Sequence, residues 1–241
     1  MTLFYTTARI LRQLRHDRRT IALLVAVPSL LLTLLYFMFD NQQIFNHLAL
    51  IMLGIFPFIV MFLITSIAML RERTNGTLER LLTTPLRKTD LLFGYGLAFG
   101  VAAALQASIV SAVAYLFLGL DTAGNPGWVI AIAIANAVLG VALGLLASAF
   151  ARTEFQAVQF MPVVALPQIL LCGLFVARDQ MVGWLQAISD VLPLTYSVEA
   201  LQEVGRFADP TSTMWRDLAI VAGAVIVALI AAAGTLRRRT R

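Results

Sequence analysis

With 241 residues, 60% of them hydrophobic and 13% charged, the chain has too much apolar surface for a water-soluble domain of this size to bury. A net charge of +5 and a sequence pI near 10.0 would suggest nucleic acid as the partner of a soluble protein, but basic residues flanking membrane spans account for both, and no nucleic acid is expected. The apolar runs are continuous and do not alternate, which excludes a β-barrel and leaves an all-α integral membrane protein.

In chain order, residues 1–19 come first. Leu3, Phe4, Thr7, Ile10, Leu11 and Leu14 recur there at helical spacing while Arg9, Arg12 and Arg15 point elsewhere, the pattern of an amphipathic helix lying along a membrane surface. Charge-free stretches then mark six spans, at 20–39, 48–70, 91–118, 128–150, 155–176 and 218–236. Each is long enough to cross about 30 Å of hydrocarbon at about 1.5 Å per residue. The long basic lead and the absence of a small-x-small site near Phe39 make the first stretch a retained span and not a cleaved signal. With the N-terminus in the cytoplasm, 15 of the 18 Lys and Arg residues fall on the inner side, and Arg178, Arg206 and Arg216 are left outside. This asymmetry places both termini in the cytoplasm of a multi-pass protein of the plasma (inner) membrane.

Inside the spans the polar groups are sparse. Phe58, Phe62, Thr65 and Ser66 on the second span, Gln106 on the third, Asn136 on the fourth and Gln168 on the fifth are candidates for lining a transport path. An interhelical hydrogen bond or plain packing accounts for any one of them equally well. No central span position carries Asp, Glu, Lys, Arg or His, the usual machinery of proton-coupled transport, although sodium sites built from backbone carbonyls leave no such trace. The fourth span holds Gly140 and Gly144, a small-xxx-small pair that lets helices approach closely. Cys172 reads as a small core hydrophobe, and His16 and His47 lie on opposite sides of the first span, where they cannot share a metal. No catalytic constellation is present, so the chain is read as a non-catalytic subunit.

The loop 71–90 carries the most information. Gly76 can break the incoming helix, Thr77 can cap a short new one, and Pro85 can end it. Leu78, Leu81 and Leu82 then cluster on one side beside Glu79 and Arg80, as a docking knob would. No phosphate-binding G-x-x-x-x-G-K-[ST] accompanies it, and the only lysine, Lys88, lacks a glycine-rich lead-in. Between the fifth and sixth spans, the segment 177–217 is too long to be a turn.

The run from Glu72 through Arg73, Thr74, Asn75, Gly76, Thr77, Leu78, Glu79, Arg80, Leu81, Leu82, Thr83, Thr84 and Pro85 to Leu86 resembles the signature of type-two ABC transporter permeases, as in the daunorubicin exporter group. Leu192, Pro193, Leu194, Thr195 and Tyr196, with Glu199, Ala200 and Leu201, make a second match. The resemblance implies a coupling helix seated in a cleft of a separate nucleotide-binding subunit. Glu72, Gly76, Thr77, Leu78, Glu79, Arg80, Leu81, Leu82 and Pro85 would form that contact, with ATP and Mg held by the partner. It further implies two short re-entrant helices before the last span, to which Trp184, Pro193 and Tyr196 belong. Two permease copies would enclose the path, as a homodimer or a pair of related chains. Lack of intramembrane charge favours a hydrophobic or amphiphilic cargo such as a drug, lipid or secondary metabolite. A permease for polysaccharide or lipid-linked glycan on the same fold, or a membrane scaffold that moves nothing, are the alternatives.

Overall fold

The computed structural model describes residues 2–74 and 88–235. Among them every regular element is helical, and the protein is an all-α membrane protein. α1 (Thr2–His16) is the amphipathic lead helix. α2 (Arg18–Met38), α3 (Gln42–Thr74), α4 (Lys88–Leu116), α5 (Pro126–Ser148), α6 (Glu154–Leu171) and α9 (Ser212–Thr235) are the six long helices. Between α6 and α9 lie a 3₁₀ turn at Arg178–Gln180 and two shorter helices, α7 (Gly183–Ser189) and α8 (Pro193–Arg206). Six helices among the described residues are long and apolar enough to cross a membrane, and their alternating directions gather the chain's turns at two opposite ends.

Helix boundaries follow local chemistry. The Asp17 carboxylate accepts from the Thr20 amide at 3.1 Å and starts α2. Asn125 accepts from Gly127 N at 2.8 Å, and Pro126, which has no amide proton to lose, begins α5. α6 stops at Leu171 although the apolar run continues to Val176, because Gly173 adopts a left-handed backbone (φ 94°) that turns the chain out of the helix. α3 runs in the other direction from expectation: its 33 residues span about 50 Å, well beyond a hydrocarbon layer of about 30 Å. At least one end therefore passes the hydrocarbon layer, and the charged Arg71, Glu72 and Arg73 mark the last turn as that end.

The core is built around α3. α5 lies along it so closely that a Cβ on Gly144 would stand 2.6 Å from the Phe62 carbonyl oxygen, and one on Gly140 would overlap the Phe58 carbonyl. The small-residue pair of the fourth span is thus consumed inside the chain, as a seam with the second span. α4 closes the trio, and α8 lays Leu194, Val198, Leu201 and Val204 into the bundle. α2, α6 and α9 are peripheral and expose Leu30, Phe37, Val163, Leu166, Val227 and Ile230, as lipid-facing helices do. Near the α8 end Trp128 and Trp215 meet edge to face at 5.1 Å, which suits the level of a membrane interface.

Candidate functional site

At the end of the bundle that holds α1, the last turn of α3 leads into residues 75–87. Gly76, Thr77, Leu78, Glu79, Arg80, Leu81, Leu82 and Pro85, expected to form the docking knob, lie outside the described residues. The turn that carries them does not. Successive helical residues point about 100° apart, so Arg71, Glu72 and Arg73 face three directions. Arg71 donates from Nε and Nη2 to both oxygens of Glu154 at the start of α6, at 2.7 and 3.0 Å. The Glu72 Oε1 is 3.5 Å from Arg9 Nη2 on α1. Arg73 donates to the carbonyl of Ser148, the last residue of α5. Three consecutive side chains thus fasten one turn to three other helices.

The middle contact is an enclosed ion pair. The Glu72 side chain is 15% exposed, and Arg9 donates further to the Tyr95 hydroxyl on α4 at 2.9 Å. Thr7 donates to the Gly94 carbonyl at 3.3 Å, while Ile10 buries itself below. Hence α1 joins both helices that flank the loop, α3 before it and α4 after it. Glu72, read from sequence as a contact for the ATPase subunit, faces α1 instead of open solvent. The three-way arrangement of residues 71–73 was not foreseen; the signal was an unbroken Arg-Glu-Arg triplet after an apolar span.

The residues expected along a path are all interior to the single bundle. Phe58 and Phe62 are fully buried where α3 meets Gly140 and Gly144. Asn136 donates to the Gly54 carbonyl and accepts from Ser197 at 3.0 Å. Gln168 donates to Val164 O at 3.1 Å and accepts from the Leu194 amide at 3.3 Å. These two amides pin α8 to α5 and α6. Gln106 donates to Leu24 O at 3.0 Å and ties α4 to α2. The hydroxyls of Thr65 and Ser66 and the Gln106 Oε1 are buried and have no hydrogen-bond partner among the described residues.

The opposite end is organised around one cation. Arg178 donates to Glu199 at 2.8 Å and to Asp190, and its guanidinium lies 5.4 Å over the Tyr196 ring. Burial weighs against its charge, and the Asp190 and Glu199 carboxylates outweigh burial, leaving the guanidinium above its ordinary value. The Tyr196 hydroxyl donates to the Asp190 carbonyl at 2.6 Å. Pro193 opens α8, and Trp184 on α7 is 65% exposed. Arg216 continues the chain of charges from Glu199 to the fully buried Asp217, 2.8 Å away. Beside this network lies an open cleft of about 630 Å³ between the start of α3, the 172–180 turn, α7 and α8.

Against known proteins, a family model described as ABC-2 type transporter matches residues 2–204. Similar proteins include a "Probable multidrug ABC transporter permease YbhR" of Escherichia coli strain K12, 27% identical over 65% of this chain and 42% of that protein. The "Linearmycin resistance permease protein LnrN" of Bacillus subtilis is 27% identical over 56% of this chain and 35% of its own length. "ABC transporter G family member 20" of Dictyostelium discoideum is 25% identical over 68% of this chain and 22% of its length. The chain therefore spans less than half of each of these relatives.

Proposed function

This chain belongs to the ABC-2 type transporter family, and from that premise we propose that it is the membrane-spanning permease subunit of an ATP-driven exporter. Its N-terminus and the 75–87 loop lie in the cytoplasm, and a separate ABC ATPase subunit docks on that loop. A second permease copy completes the machine and encloses the path. Chemistry stays with the ATPase, which holds ATP and Mg, and this chain supplies the passage and the lever. The cargo is hydrophobic or amphiphilic. Permease relatives with multidrug and linearmycin resistance in their names support that class, as does the absence of charge from the middle of the spans.

The observation that carries the coupling reading is the divergent set of contacts at residues 71–73. A displacement delivered to the loop reaches α3 first and is handed at once to α6, α1 and α5, so the turn distributes one motion among four helices. α7 and α8 form the short re-entrant pair on the outer side, with Trp184 at the lipid. For the path, Thr65, Ser66 and Gln106 retain unspent polar atoms, whereas Asn136 and Gln168 are spent on holding α8. Of the former, Gln106 stands at the joint of α4 with the peripheral α2, and parting of that joint would bring it to the cargo.

The test is reconstitution with the ATPase subunit into proteoliposomes, reading ATP hydrolysis and efflux of a lipophilic dye together. Glu79→Arg and Gly76→Pro should leave insertion intact, keep basal hydrolysis, and cut dye efflux at least tenfold. Unchanged efflux in both variants would remove the coupling assignment, and efflux by the permease without any nucleotide would remove the exporter reading itself.

A further inference from the structure

The cleft beside Arg178 differs in character from the rest of the molecule. Its walls carry Arg206, Asp179, Gln180, Gln186 and Gln202, all polar, in a chain that is 60% hydrophobic. At about 630 Å³ it has the size of a small-molecule site. Its floor is fixed, because Arg178 is held by Glu199, Asp190 and the Tyr196 ring. Charges of both signs on its walls enter no ion pair among the described residues: Arg206 and Asp179 are exposed, and Glu203 accepts from the Thr211 hydroxyl on one oxygen only.

An apolar surface adjoins the polar one. α7 turns Gln186 into the cleft and exposes Trp184 and Ile188 on its other side, so the apolar group at the cleft itself comes from the preceding turn. Phe175, also exposed, stands on the cleft's own lining. Polar space and apolar rim thus meet at Phe175, with the exposed Val176 beside it. A ligand bearing a single charge would satisfy the unpaired groups of one sign and leave those of the other sign facing a desolvated neighbour, which costs free energy. A head carrying both signs satisfies Arg206 and Asp179 together, with the three glutamine amides free to bond its remaining oxygens.

We propose that this cleft is the outward-facing binding site for the zwitterionic head of an amphiphilic cargo, whose tail lies against the exposed Phe175 and Val176 at its rim. The proposal rests on the exporter reading and adds to it the chemical class of the cargo's head and the place where it is held before release. The cleft is a holding site with one cationic and one anionic contact, and the apolar flank gives the tail a way into the outer leaflet.

The experiment uses the full-length protein in nanodiscs without the ATPase and measures binding of three fluorescent single-chain amphiphiles of equal chain length. The probes are a lysophosphatidylcholine, a lysophosphatidylglycerol and an alkyl maltoside. The zwitterionic probe should bind at least tenfold more tightly than the other two, and Arg206→Gln and Asp179→Asn should each weaken it about tenfold. Since neither side chain makes an ion pair, both variants should keep the parent's melting temperature, which separates lost binding from lost fold. Equal affinity for all three probes, preference for the anionic or non-ionic probe, or indifference to both substitutions would overturn the proposal. A cleft covered by the second permease copy would give the last of these results. Because the measurement needs no ATP, binding without ATP-driven efflux would retain the site and remove the exporter, while efflux with the cleft indifferent would do the reverse.

Discussion

The two ends of the bundle use the same chemistry in opposite arrangements. At the α1 end three neighbouring side chains, Arg71, Glu72 and Arg73, diverge to three different helices. At the α8 end one side chain, Arg178, draws in Asp190, Glu199 and the ring of Tyr196. Convergent contacts share one another's geometry, so moving any member breaks several bonds and the region resists displacement. Divergent contacts share only their origin, and a turn that shifts can carry all three partners with it. The difference teaches that one end is wired to spread a displacement and the other to keep its shape, which is what the proposed coupling and holding roles would require of them.

Removing the hub should produce the largest effect on that contrast. Arg178→Gln leaves Asp190 and Glu199 without their shared donor and should cost about 1–2 kcal/mol, discounted for partial exposure. Faster proteolysis across residues 177–192, with a lowered melting temperature, is the expected readout; an unchanged digestion pattern would show that the outer end is not held by its arginine. Next comes the enclosed strut. Glu72→Gln keeps the shape and loses the ion pair with Arg9, and dye efflux should fall about tenfold, equivalent to about 1.4 kcal/mol at the coupled step. Insertion and basal ATP hydrolysis should hold steady, and adding Arg9→Gln should deepen the loss only by what its bond to the Tyr95 hydroxyl carries, since the ion pair is already gone. The smallest effect belongs to the solvent-exposed pair: Arg71→Gln and Glu154→Gln, singly or together, should leave melting temperature within error and lower efflux by much less than Glu72→Gln does. A strong effect there would mean that exposed and enclosed struts carry equal load, and the ranking would fail.

Much of this architecture could be read from residues in order. Six apolar runs without charge can satisfy their backbone only as helices in lipid, so the number of long helices follows from hydropathy. Their ends are less legible. Gly173 ends α6 through a left-handed backbone, which an apolar run cannot announce, and α3 outlasts its span because the charged residues Arg71 to Arg73 break no helix once they stand beyond the bilayer. Pairings are less legible again. Asn136 and Gln168 as path lining and the same residues as anchors for α8 ask for the same thing, a buried amide with partners, and only the position of Ser197 and the Leu194 amide distinguishes the two uses. Arg206 and Asp179 stand 27 positions apart in the sequence; their meeting in one cleft depends on a turn at 178–180 and a helix at 193–206.

Gly140 and Gly144 set a limit on how this protein can change shape. Where α3 and α5 touch main chain to main chain, no layer of side chains remains on which one could slide past the other. The pair travels as a single plank. A gap wide enough for cargo has to be created along some other joint, among the loosely seated outer helices, and trimming side chains along the plank would enlarge nothing.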